Sequence, residues 1–158
     1  MHQRFSSEVL MAQELTNSEA RRFNHEYLEP EHALLGLIKV GRGNAVDVLR
    51  LFDVDLEKVR VELEESLKSG PHSVPIEDLP SASRMAKLPL APAMKSVMEY
   101  AVEEARYLNH RCFGTQHILL GLLREQEGAA ERWNPLGVSL EDARAKVCEM
   151  SEEEEFRV

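Results

Sequence analysis

Apolar residues recur along this chain three and four positions apart, the spacing that lines one face of a helix. Val9, Ala12, Gln13, Thr16 and Ala20 fall on one face and predict a first helix from about Ser6 to Phe23, with only a modestly apolar stripe. Val97, Tyr100, Ala101, Ala105 and Leu108 mark a stronger stripe over Pro92–Leu108. Pro92 suits a first helical turn, where its missing N–H has no partner to lose. Pro30–Val40 and Thr115–Arg124 are apolar almost all round, which predicts central helices. Asn44–Phe52 reads as a short helix, and Ala129–Trp133 as a shorter one stopped by Asn134 and Pro135. Asp55 and Ser139 are candidate N-caps for further helices running to about Ser69 and Met150. The fold class predicted is all-α, with eight helices.

The pattern is also periodic over a longer distance. Residues 19–43, EARRFNHEYLEPEHALLGLIKVGRG, match 104–128, EARYLNHRCFGTQHILLGLLREQEG, at 11 of 25 positions with an offset of 85. A match of this density marks an internal duplication. Gly36 and Gly121 fall mid-helix in both copies, where glycine costs about 1 kcal/mol against alanine. Their retention predicts close helix–helix approach. Repeat one then spans 1–69 and repeat two 91–150, within a single domain of 1–158. Residues 70–90 hold four of the seven prolines and read as the linker, and the acidic tail 151–158 is expected to fray.

Composition narrows the function. The net charge of −9 is shared almost evenly between the halves, apart from the run Glu152–Glu155. An acidic surface without basic patches argues against nucleic acid or anionic membrane as a partner. No apolar stretch reaches the 18 residues of a membrane span. Glu8 and Glu14 interrupt any signal-peptide core. Cys112 and Cys148 are too few for a disulfide framework and fit a reducing, cytoplasmic setting.

The doubled block NHEYLEPEHALLGL and NHRCFGTQHILLGL, each after E-A-R, resembles the Clp N-terminal repeat domain at the front of Clp unfoldases. Arg4-Phe5 and the G-V-S-L of Gly137–Leu140 look like the ClpC type. The resemblance covers nearly the whole chain. It implies two four-helix repeats related by a pseudo-twofold axis, and a platform for adaptor or substrate proteins. The sequence has no G-x-x-x-x-G-K-[ST] phosphate loop and no catalytic constellation, so no enzyme activity and no cofactor are expected. Either a stand-alone protein or a fragment cut from its motor fits. The ending EEEEFRV differs from the continuation expected into an ATPase ring and favours the first.

The resemblance also implies a small pocket in each repeat for phosphorylated arginine. A glutamate would pair with the guanidinium, and a hydroxyl at a helix N-terminus would meet the phosphate. Repeat one carries Ser6 and Glu31 at these positions, although Pro30 replaces the threonine that usually precedes the glutamate. Repeat two carries Ala91 and Gln116, so the hydroxyl and the carboxylate are both gone. The second pocket is therefore expected to lose this ligand. Plain roles compete with the ligand reading: Ser6 as an N-cap, and Glu31 as a first-turn carboxylate favoured by the helix dipole.

His25, His32, His110 and His117 are paired at a spacing of seven, unlike a compact i, i+4 metal pair. They read as structural histidines near helix ends, with no metal. Cys112 near His110 lacks the remainder of a nucleophilic site. Trp133 reads as a core filler or as an exposed anchor for a partner. Two partner classes remain open: substrates, adaptors or Clp ATPase subunits for a docking module, and the Clp protease core for a regulatory or assembly factor like the plastid ClpT type.

Overall fold

The computed structural model describes residues 4–68, 88–128 and 136–155. A two-residue strand β1, Arg4–Phe5, leads into helices α1 (Ser7–Arg22), α2 (Pro30–Val40), α3 (Asn44–Leu51) and α4 (Leu56–Lys68). Then follow α5 (Pro92–Tyr107), strand β2 (Cys112–Phe113), α6 (Thr115–Gly128) and α7 (Leu140–Glu155). Seven helices lie among the described residues. The short helix expected at Ala129–Trp133, with Trp133 itself, falls outside them.

The helix ends follow local chemistry. Ser6 caps α1, its Oγ accepting the Val9 N–H at 3.2 Å. Asp55 and Ser139 cap α4 and α7, accepting the N–H groups of Lys58 and Asp142 at 3.1 Å each. These bonds satisfy donors that a first turn leaves without helical partners. Gly41 closes α2 in the left-handed conformation, φ 70°. Two ends differ from expectation. α6 continues past Arg124 to Gly128, and α7 continues past Met150 to Glu155, into the tail expected to fray. Residues 150–155 hold no glycine or proline, and glutamate is a good helix former.

α1 packs along α2, and α5 along α6. The mid-helix glycines sit at these contacts. A Cβ on Gly36 would lie 2.6 Å from Thr16 Oγ1 and 2.9 Å from the Ala12 carbonyl oxygen. A Cβ on Gly121 would collide with the Val97 carbonyl oxygen and reach 3.1 Å from the Ala101 nitrogen. α2 and α6 are the most deeply buried helices, with Leu34, Leu35, Leu37, Leu119 and Leu120 in one core shared by both copies. On α1, Gln13 is exposed, and the buried polar positions are Thr16 and Glu19.

The two copies interleave. β1 pairs in parallel with β2, Arg4 opposite Cys112 and Phe5 opposite Phe113, and the Ser6 N–H donates to the Phe113 carbonyl at 3.0 Å. The same stitch occurs with the copies exchanged. Leu90 bridges to Leu28, and the Ala91 N–H donates to the Leu28 carbonyl at 2.9 Å. Leu88 donates its N–H to Asn17 Oδ1 at 3.0 Å. The last residues of the expected linker are thus built into the fold. α3 of the first copy crosses to pack on α6 and α7 of the second.

Candidate functional site

This interleaving decides which of the expected site residues meet. Ser6, Gly43, Asn44, Cys112, Thr115 and Gln116 line a polar cavity of about 250 Å³. Three helices begin at its wall: α1 after Ser6, α3 after Gly43, and α6 at Thr115. Each brings the positive end of its dipole and first-turn N–H groups that have no partner further back in the helix. Thr115 is buried, and its Oγ1 accepts the Ala45 N–H at 3.1 Å, fastening the N-termini of α3 and α6 together. Glu8 also lines the cavity, and its charge is partly offset by Arg42 Nε at 3.7 Å.

Ser6 therefore faces Gln116 of the other copy, and Glu31 is absent from the wall of its cavity. The reading that grouped Ser6 with Glu31 in repeat one, and Ala91 with Gln116 in repeat two, is regrouped by the fold. The strand stitch carries each first-helix N-cap across to the opposite copy. Ala91, the N-cap of α5, is bonded to Leu28, three residues before Glu31. Ser6 is bonded to Phe113, three residues before Gln116. The Ser6 cavity is thus walled by both copies, and Ala91 is tied to the copy that carries Glu31.

The Glu31 side is negative. Glu29 is the N-cap of α2, and Glu31 lies in the first turn. Burial first, and then the charge of Glu31 and of Glu125, raises the Glu29 carboxyl above its ordinary value. Burial and the charge of Glu31 raise Glu125 in the same direction. Three carboxylates thus crowd one region, and Ala91 contributes no hydroxyl to it. Such a site suits a cationic side chain and disfavours a phosphate. The Ser6 side differs: hydroxyls, helix N-termini and the single carboxylate of Glu8, with the amide of Gln116 where a second carboxylate was expected.

The histidines are structural, and their roles repeat. His32 is fully buried, and its Nδ1 accepts the Glu29 N–H at 2.9 Å. Its Nε2 then carries the proton of the neutral ring and donates to His25 Nδ1 at 2.8 Å. In the second copy the Gly114 N–H bonds His117 Nδ1 at 2.9 Å, and His117 Nε2 meets His110 Nδ1 at 2.8 Å. Both ring nitrogens of His32 and of His117 are occupied. Among the described residues no group of three His, Cys, Asp or Glu side chains could hold a metal.

Sequence reasoning passed over two buried acids. Glu19 is paired with Lys39 and with Arg22 at 3.0 Å, and Glu104 with Arg144 at 3.0 Å. The signal was available: both belong to the matched E-A-R, one residue from a buried alanine in each copy.

An all-helical duplicated unit with composite polar sites at helix N-termini defines a class of interleaved repeat modules. The Clp repeat (R) N-terminal domain family matches residues 4–135 and 89–155, and this chain belongs to it. It is similar to an ATP-dependent Clp protease ATP-binding subunit ClpA homolog of Porphyra purpurea, 38% identical over 151 residues, 95% of this chain and 17% of that protein. It is equally similar, 38% over 151 residues, to the chloroplastic chaperone protein ClpC1 of Oryza sativa subsp. japonica, covering 95% of this chain and 15% of that protein. The chain thus spans 15 to 17% of the length of these relatives. Its fold resembles the N-terminal domain of the ClpV1 ATPase from E. coli, with a TM-score of 0.69 and 22% identity, covering 90% of this chain and 82% of that one. It also resembles the N-terminal domain of the chaperone ClpD from Arabidopsis thaliana, with a TM-score of 0.62 and 22% identity, covering 94% of this chain and 95% of that one.

Proposed function

We propose that this chain is a non-catalytic docking module of a Clp system that holds adaptor or substrate proteins. The reading is carried by the interleaving of the two copies, which builds two composite polar sites of opposite character. One gathers the N-termini of α1, α3 and α6 around Ser6, Thr115 and Gln116. The other brings Glu29 and Glu31 of the first copy within reach of the charge of Glu125 of the second. Folded protein surfaces present acidic and basic side chains together, and a partner matching both sites would be held in one orientation. A basic side chain, arginine above all, is the group the Glu31 site would take, since a guanidinium forms paired bonds with carboxylates.

The test is affinity capture on the immobilised chain beside a Glu31→Ala variant, with purified Clp adaptors, client proteins and the peptidase ring as separate analytes. Binding of an adaptor or client, weakened in the variant, supports the docking reading. Binding of the peptidase ring alone would replace it with an assembly role at the protease core. Binding of none would refute both.

A further inference from the structure

Each copy joins its first helix to its second through the same run of two hydrogen bonds. In the first copy the Glu29 N–H donates to His32 Nδ1 at 2.9 Å, and His32 Nε2 donates to His25 Nδ1 at 2.8 Å. In the second the Gly114 N–H donates to His117 Nδ1 at 2.9 Å, and His117 Nε2 donates to His110 Nδ1 at 2.8 Å. The accepting lone pairs, on the inner and the outer Nδ1, are also the places where a proton would add. A proton on His32 Nδ1 takes the lone pair that holds Glu29. A proton on His25 Nδ1 sets two N–H groups against each other across 2.8 Å. Neither ring can therefore accept an additional proton without a bond breaking, and the same holds for His117 and His110.

The bonded amides sit beside the stitches between the copies. Leu28, whose carbonyl accepts the Ala91 N–H, directly precedes Glu29. Phe113, whose carbonyl accepts the Ser6 N–H, directly precedes Gly114. The inner rings thus tie down both stitches and the first turns that carry Glu31 and Gln116. His25 is the titratable group that acts on His32, and His110 the one that acts on His117. Glu31 and Glu125 act on Glu29 instead. Arg22 lies over Phe23, whose ring is 6.3 Å from that of His25, and the uncharged Phe113 ring is 5.5 Å from that of His117. Burial, and then the partner ring, brings His32 and His117 down to about 4, so both are neutral at pH 7 and charge only in acid.

We infer that each histidine pair is a proton-operated latch: one proton on either ring breaks a bond of the run and frees the junction between the copies beside it. The latch belongs to the fold and does not depend on the docking reading, although both docking sites are built on the turns it holds. NMR on the intact chain tests it. The ring nitrogens of His25, His32, His110 and His117 would be followed from pH 7 to pH 4, together with the amides of Glu29, Ala91, Gly114 and Ser6. The Val59 amide, bonded to the Asp55 carbonyl at 3.1 Å, reports global unfolding. The amides at the latches should shift together with ring protonation, at a pH where Val59 has not moved. His25→Gln and His110→Gln each supply a carbonyl oxygen that accepts the inner N–H and takes up no proton in this range. His25→Gln should carry the transition of Glu29 and Ala91 to lower pH and leave that of Gly114 and Ser6 in place, and His110→Gln should do the reverse. One variant in each copy guards against either failing to fold. Amides that stay still while the rings take up protons, or that move only with Val59, would overturn the latch. So would a transition left unmoved in a folded glutamine variant.

Discussion

His32 Nε2 lies 2.8 Å from His25 Nδ1, and the pair recurs at His117 and His110 with the same separation. The inner ring must stay neutral for this arrangement, because its Nδ1 already accepts a backbone N–H. Burial, and then the charge of the outer histidine, lowers His32 and His117 from 6.5 to about 4. Between these values the unfolded chain binds a proton that the folded chain refuses, so stability falls as pH drops from 6.5 and the loss is complete below about 4. Each histidine contributes on the order of 3 kcal/mol across that window. The raised carboxyls of Glu29 and Glu125 work in the opposite direction. Urea midpoints measured from pH 7 to pH 4 should fall steadily, and His32→Gln should flatten the slope. A midpoint independent of pH would contradict the assigned ring states.

Glu104 is 2% exposed, and its partner Arg144 reaches it from α7. Removing the acid leaves a partly exposed guanidinium, and removing the arginine leaves a buried carboxylate whose remaining cation, Arg124, is 3.7 Å away. The second case is worse, because Glu104 is more deeply buried than Arg144. We expect Arg144→Met to cost about 2 kcal/mol, with the double variant Glu104→Gln, Arg144→Met recovering part of the loss. Chemical denaturation of the three variants measures the coupling. Additive losses would mean that the pair contributes nothing beyond its separate side chains.

Helix propensity favours alanine over glycine by about 1 kcal/mol, so Gly36→Ala and Gly121→Ala would stabilise a freely exposed helix. Here the sign reverses, because a Cβ at either position meets the neighbouring helix. Overpacking should cost roughly 1–3 kcal/mol. Gly121→Ala should be the more damaging. Its Cβ meets a backbone carbonyl most closely, whereas that of Gly36 meets Thr16 Oγ1 first, and a side chain can turn aside. Thermal melts of the two variants would show the order, and a rise in either melting temperature would refute the close-approach account.

The sequence made the helices legible because their faces are written in short-range spacing, and the caps at Ser6, Asp55 and Ser139 are local chemistry. The duplication likewise exposed the structural equivalence of His32 and His117. What spacing could not show was the exchange between copies. The Ser6 bond to Phe113 and the Ala91 bond to Leu28 join residues far apart in the chain, through two-residue strands too short to announce themselves. Grouping Ser6 with Glu31 assumed that a sequence repeat is also a spatial unit.

The regrouping changes the expectation for phosphoarginine. Ser6 and Thr115 each accept one N–H, and each retains a hydroxyl proton that can be donated to a phosphate. Gln116, opposite them, brings no charge to a guanidinium, and the one carboxylate that lines the cavity, Glu8, is already faced by Arg42 at 3.7 Å. At the Glu31 site the charge is present, but Ala91 supplies no hydroxyl and three carboxylates repel a phosphate. Neither composite site holds both halves of the ligand, so calorimetric titration of the unmodified chain with free phosphoarginine should show no saturable binding. Gln116→Glu places a carboxylate opposite Ser6 and Thr115 and completes the set. A charge-assisted hydrogen bond is worth roughly 1.5–3 kcal/mol, an affinity gain of about 10- to 100-fold. Binding should appear in this variant and weaken again when Ser6→Ala is added. Binding by the unmodified chain that disappears in Glu31→Ala would show instead that the carboxylate site suffices alone, and that the hydroxyl is dispensable for reading the mark.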